Sequence, residues 1–292
     1  MAGLKEIRKR IQSVKNTQKI TRAMKMIAAT KLRKAQSTML STRKFSVEMR
    51  KMAHFLIHKV EKIHPLMIAR AEIKNEAVIV VSGDRGLCGS FNASIVRYTK
   101  KYIADRKKEG VNSTIFFIGK KAGESLRMVD AEKNYDFINL FQDLQFNYMF
   151  DLVDLIADNY ISGKFDLVTV VYNRFKSAVS QEVTKDQIFP LVEDTFAHEE
   201  EVKDKENRDL IIEPSPEELF DFIVKRFAAT ELYHDLMESV ASEFSARMNA
   251  MDSATKNAEE MISHLVLLYN RVRQDAITKE LMEIIGGAEA LK

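Results

Sequence analysis

Apolar residues at the start of the chain follow a seven-residue repeat. Leu4, Ile11, Gln18, Lys25, Leu32 and Met39 form one seam, and Ile7, Val14, Thr21, Ala28, Ala35 and Thr42 form a second. This is a heptad whose middle third is small and polar. After Thr42 the spacing predicts a shift of phase, continued by Phe45, Met49, Met52, Leu56 and Val60. Near the other end, Ile223, Phe227, Met237, Phe244, Met248, Met251, Met261, Leu265, Leu268 and Val272 are spaced in threes, fours and their sums. Leu4–His64 and Glu217–Ile285 contain neither glycine nor proline. Proline costs about 3 kcal/mol and glycine about 1 kcal/mol inside a helix, so both stretches read as very long helices. Each would reach about 90–100 Å and protrude from a compact domain, its apolar stripe covered by a partner. Ser215-Pro216-Glu217-Glu218 supplies a capping serine, a first-turn proline and two acids at the start of the second helix, and Gly286-Gly287 is expected to close it. The simplest arrangement pairs the two helices as an antiparallel coiled coil.

The middle of the chain has a different period. Ala77–Val81, Thr114–Ile118 and Asp166–Tyr172 are short apolar runs that read as buried strands. Helical patterns at Ala93–Glu109 and Phe146–Ser162 lie among them, and Ser177–Phe189 alternates as an added antiparallel strand would. The acidic stretch Glu193–Asp209 reads as a surface connection. The expected fold class is therefore α/β plus a long antiparallel coiled coil, with a central Rossmann-like domain on a mostly parallel sheet. The division expected is 1–64, 65–213 and 214–292.

Charge sharpens this picture. Residues 1–64 hold 17 Lys and Arg against Glu6, Glu48 and Glu61, a local +14 in a chain whose net charge is +3, so the remainder carries −11. A basic arm on an acidic body implies a polyanionic partner, whether nucleic acid, anionic lipid or an acidic protein surface. For nucleic acid, aromatic residues to stack on bases are missing until Phe45. Cys88 is the only cysteine, which excludes a disulfide framework within the chain. No run of 18 apolar residues occurs, and the start, MAGLKEIRKR, lacks the apolar core of a secretion signal.

Chemistry is hinted at in three places. Gly83-Asp-Arg-Gly-Leu-Cys-Gly89 lies between a strand and a helix, where phosphate loops occur, but its glycine spacing matches neither nucleotide-binding pattern. It reads as a tight turn with Asp84 and Arg85 pairing locally. Cys88 has no histidine beside it and reads as a small buried thiol. His54 and His58 share a helix face without the rest of a metal motif. No catalytic, cofactor or metal residue is assigned.

Three segments carry a family resemblance. Asn16-Thr-Gln-Lys-Ile-Thr-Arg-Ala-Met-Lys-Met-Ile-Ala-Ala29, Gly83-Asp-Arg-Gly-Leu-Cys-Gly-Ser-Phe-Asn92 and Ile277-Thr-Lys-Glu-Leu-Met-Glu-Ile-Ile-Gly-Gly-Ala288 occur in the order and spacing of F-type ATP synthase γ subunits, and Tyr269–Gln274 also fits. The chain resembles that family over its whole length, in its bacterial form. The resemblance implies a non-catalytic central stalk, one copy per complex, without cofactor. Its coiled coil would lie on the axis of a hexamer of α and β subunits, with the C-terminal end in an apolar sleeve. Its base would stand on the c-ring and hold the ε subunit, peripheral to the cytoplasmic face of the inner membrane. Ion flow would turn it and drive ATP synthesis at sites on the β subunit. Gln18, Thr21, Ala23, Ala28 and Ala29 would keep the upper coiled coil thin.

The resemblance places Met24 and Lys25 against an acidic loop of the β subunit, and Arg273 and Gln274 on its catch loop. Ile277, Thr278, Glu280, Leu281, Glu283, Ile284 and Gly287 belong to the family signature. Ser90 stands where many members have glycine. The paired cysteines of chloroplast members are missing, which argues against thiol regulation.

Overall fold

The computed structural model describes residues 3–141, 144–192 and 212–289. The expected acidic connection at 193–209 lies outside them. The elements are α1 (Leu4–Ile57), β1 (Asn75–Val81), α2 (Phe91–Lys108), β2 (Asn112–Ile118), α3 (Lys120–Ser125), β3 (Glu132–Asn134), α4 (Asn147–Ile161), β4 (Leu167–Phe175), β5 (Gln181–Phe189) and α5 (Pro216–Glu289). Two compact units result: Met1–Ala29 with Arg247–Lys292, and Thr30–Ala246.

The larger unit holds a five-stranded sheet in the order β3-β2-β1-β4-β5. The first four strands are parallel and β5 runs antiparallel to β4. On one face, Ile79, Phe116, Val170 and Tyr172 pack against Leu152, Ile156 and Tyr160 of α4, Ala53 and Leu56 of α1, and Phe220, Phe227 and Leu236 of α5. On the other, Val78, Val80, Ile115 and Phe117 meet Ile95 and Ile103 of α2 and Ala122 of α3. Burial on both faces explains why β1 and β2 read as unbroken apolar runs. A polar cluster crosses this core. Glu76 is fully buried and accepts from Tyr102 Oη at 2.5 Å, Arg106 Nε at 2.7 Å and Thr169 Oγ1 at 2.8 Å, tying α2 to β1 and β4.

β2 ends where two backbones touch. Gly119 has φ +94°, and a Cβ there would lie 1.8 Å from the carbonyl oxygen of Ser82, so only glycine fits.

In the smaller unit the two helical segments run antiparallel. The hydroxyls of Thr21 and Thr255 meet at 2.8 Å, and Lys25 Nζ lies 2.6 Å from Asp252 Oδ1. Ile7, Thr21 and Ala28 are buried against a seam in which Met251, Ala258 and Leu265 are buried. Met248, Thr255, Ile262, Tyr269 and Val272 are half-buried between them.

Four expectations are corrected. The heptad of α1 does not shift phase after Thr42. Thr42, Ser46, Ala53 and Leu56 are buried and Met49 half-buried, in unbroken register with Ile7 and Ala28, whereas Phe45 and Met52 are 43% and 42% exposed. Small residues continue the seam, and the larger apolar ones lie off it. α1 ends at Ile57, short of His64. The imidazole of His64 accepts the N–H of Leu66 on Nδ1 and meets Asp221 through Nε2, which holds the chain in a turn ahead of Pro65. α5 continues through Gly286 and Gly287 to Glu289. Neither glycine takes positive φ, so the terminating geometry is absent and each costs only about 1 kcal/mol of helix propensity. Met261 and Leu268 are exposed and stand outside the seam in which spacing placed them, and Ala23, expected to thin the coiled coil, is exposed as well.

Candidate functional site

Two surfaces of the smaller unit hold the residues expected to act. Arg273, Gln274, Ile277, Thr278, Glu280, Leu281, Glu283, Ile284 and Gly287 are all exposed on α5. Met24 and Lys25 are half-buried on α1. Counting seventeen residues from the Thr21–Thr255 contact sets Leu4, the first residue of α1, opposite Val272. Beyond that point no described part of the chain pairs with α5. Ile277, Leu281, Met282, Ile284 and Ile285 are accordingly 46–68% exposed. Uncovered isoleucine, leucine and methionine thus form an exposed apolar patch on the end of the helix.

Lys25 and Arg273 are not brought together. Lys25 sits beside Asp252, and Arg273 lies 21 residues further along the same helix, about 30 Å at 1.5 Å per residue. Asp252 also holds Lys256 at 3.1 Å. The bond from Lys25, then that from Lys256, keeps the Asp252 carboxyl below the ordinary range. Asp252 and Thr255 are absent from the apolar spacing of α5, and their part shows only in the pairing with Lys25 and Thr21.

The glycine loop is occupied by the chain itself. In parallel sheets of this order, ligands bind at the carboxyl ends of the strands where the order reverses, here between β1 and β4. That crevice is crossed by α5. Ser242 Oγ donates to the Asn173 carbonyl at 3.0 Å, Ser245 Oγ to the Ala178 carbonyl at 2.5 Å, and buried Glu243 lies against Gly83. Gly83 N–H donates to Asn92 Oδ1 at 2.9 Å, and Asp84 accepts the backbone N–H of Lys120, the first residue of α3, at 3.0 Å. Cys88 is buried against Phe91 and Ala246, as expected. The rings of His54 and His58 meet edge to face at 5.1 Å. Among the described residues, no group of three or more His, Cys, Asp or Glu is placed to hold a metal ion, and no helix is long and apolar enough to cross a membrane.

Carboxylates gather where α5 passes β4 and β5. Tyr172 Oη and Arg174 both donate to Asp186 at 2.7 Å, and Arg174 lies 3.9 Å from Glu238. Glu231 contacts Ser46 and, at 3.6 Å, Arg50. Burial pushes the Asp235 carboxyl up to about 7, with repulsion from Asp186 and Glu231 adding to it and the neighbouring His234 opposing it. The bond to Asp235 raises His234 above its ordinary value, and burial raises Glu238 and Tyr172.

The family model described as ATP synthase matches residues 3–291. The ATP synthase gamma chain of Chloroherpeton thalassium is 40% identical over 302 aligned residues, covering 100% of this chain and 99% of that one. The chain belongs to the ATP synthase gamma family. A gamma chain of Paramagnetospirillum magneticum is 44% identical over the full length of both. Among solved structures, the central stalk and c-ring of the Tetrahymena thermophila mitochondrial ATP synthase contains a chain that matches with a TM-score of 0.55 at 25% identity, covering 80% of this chain and 99% of that one. A chain of the Euglena gracilis mitochondrial ATP synthase matches in fold, with a TM-score of 0.62 at 18% identity, covering 99% and 94%. As a gamma chain it is a non-catalytic subunit of the central stalk, and catalysis lies on the β subunits.

Proposed function

We propose that this gamma chain is the rotating shaft that carries torque between an ion-driven c-ring and the catalytic hexamer, coupling ion flow to ATP synthesis and hydrolysis. The observation that carries the reading is the end of α5, where apolar residues stay uncovered past the start of α1. A shaft end turning in an apolar sleeve needs such a surface, without deep interlocking that would hold one angle. The segments 1–64 and 214–292 form the shaft and 65–213 the base, which meets the c-ring and ε. Met24 and Lys25 are read as facing an acidic loop of the β subunit, which the basic arm attracts at long range. Arg273 and Gln274 are read as bonding its catch loop, and the guanidinium fork suits a carboxylate there better than lysine would. Ile277, Thr278, Glu280, Leu281, Glu283, Ile284 and Gly287 seat the end of the shaft. The complex holds one copy, peripheral to the cytoplasmic face of the bacterial inner membrane.

The test is single-molecule rotation. The chain, with Cys88→Ser and Lys108→Cys, is assembled with its α and β subunits on glass, and a bead is attached at position 108, whose lysine side chain is exposed. Stepwise rotation in one direction on adding ATP is expected. A complex that hydrolyses ATP while the bead stays still refutes the shaft. Arg273→Ala with Gln274→Ala is expected to lower coupled ATP synthesis while the fold stays intact, and full synthesis by that variant removes the catch-loop assignment.

A further inference from the structure

Lys25 already has a carboxylate partner in its own chain. Its ammonium lies 2.6 Å from Asp252 Oδ1, across the two helices of the smaller unit. One turn away, the Thr21 and Thr255 hydroxyls meet at 2.8 Å, and Thr255 also lies 2.7 Å from the carbonyl of Met251. Thr21 is buried at this contact. The neighbouring seam positions Gln18, Ala28 and Ala258 are small or polar. Beside buried Met251 and half-buried Met248, the apolar packing at this height is against small or polar partners, and the polar contacts add a directional hold between the helices.

We propose that Lys25 and Asp252, with Thr21 and Thr255, form an interhelical clasp, and that Asp252 is a positioning residue that makes α1 and α5 turn as one at this height. The main counter-ion of Lys25 is then internal. A partner's acidic loop meets the residual charge of a pair, not a free ammonium. This limits how tightly any one angle of the shaft can be held. The clasp follows from these contacts alone; only its mechanical consequence rests on the shaft reading above.

Charge exchange separates the two roles of Lys25. Hydrogen exchange of the backbone amides at 14–28 is measured in the assembled complex for Lys25→Asp, Asp252→Lys and the two together. Exposed ion pairs of this kind change local opening by about two- to fivefold. Each single variant is expected to speed exchange by that factor, and the double variant to slow it again to below either single variant, because the pair is restored with its signs reversed while the contact of Asp252 with Lys256 stays lost. If lysine 25 serves only the partner's acidic loop, reversing both charges repairs nothing. Single variants that exchange at the original rate, or a double variant as fast as Lys25→Asp, overturn the clasp. Bead rotation is followed on the same complexes. If exchange is rescued but the unaltered chain does not rotate, the shaft reading fails and the clasp stands.

Discussion

Replacing Asp235 by asparagine isolates one buried acid and tests whether burial governs it. The carboxyl stands at about 7 in the fold against an ordinary 3.8. A raised acid binds its proton more tightly when folded. From about pH 4 to about pH 7 the folded chain therefore holds a proton that the unfolded chain has lost, and stability falls as pH rises through that window. At 1.36 kcal/mol for each pH unit, the loss approaches about 4 kcal/mol by pH 8 and is absent at pH 4. Asparagine has the same shape and no charge, so Asp235→Asn lacks this term. Urea unfolding of both chains at pH 5, 6, 7 and 8 provides the assay. The variant is expected to gain on the original as pH rises, with most of the change between pH 5 and 7, and to be the more stable at pH 8. His234 also has a raised value, and its contribution is lost with rising pH in the same sense. Adding His234→Gln to both chains keeps it out of the difference. A stability difference that is flat across this range refutes the reasoning.

Glu76→Gln leaves Arg106, whose side chain is 15% exposed, with only the exposed Glu109 as counter-ion, and is expected to cost about 1–3 kcal/mol in a urea titration. An unchanged midpoint would show that the Tyr102, Arg106 and Thr169 contacts hold nothing together. Gly286→Ala with Gly287→Ala is expected to stabilise the end of α5 by up to about 1 kcal/mol per site, seen as slower amide exchange over 280–289. Faster exchange there would mean that the two glycines end the helix after all.

The long helices were legible because the absence of glycine and proline is a local signal and a strong one. The sheet was legible for a similar reason, since β1, β2 and β4 are continuous apolar runs. β3 and α3 have three and six residues, too few to show a period. In α1 size and position part company: Ser46 and Ala53 carry the seam, while the larger Phe45 and Met52 lie off it, so apolar bulk alone points to the wrong phase. α1 closes at Ile57 on local bonds from Lys59 N–H and Val60 N–H to the Leu56 carbonyl, and the path beyond it is fixed by the bond between His64 and Asp221, residues 157 positions apart, which no local pattern reveals. The candidate site divides in the same way. The exposed end of α5 is recognisable from its residues, but the attachment of Lys25 to Asp252 spans 227 positions. The covering of the strand-end crevice by α5 is equally a product of tertiary packing.

The sheet's core draws on both ends of the chain, and this sets an order of synthesis. One face of the sheet is completed by Ala53 and Leu56, which are made early, and by Phe220, Ile223, Val224, Phe227, Leu232 and Leu236, which are made late. At about 5–20 residues per second, β5 leaves the ribosome about 2–10 s before Leu236 does. During that interval the ribosome holds a finished sheet with one apolar face partly bare. That is the surface a holding chaperone would grip and a neighbouring nascent chain would stick to. The domain cannot be freed from the ribosome as an independent early product, and a message truncated before codon 236 would yield a protein unable to close its core.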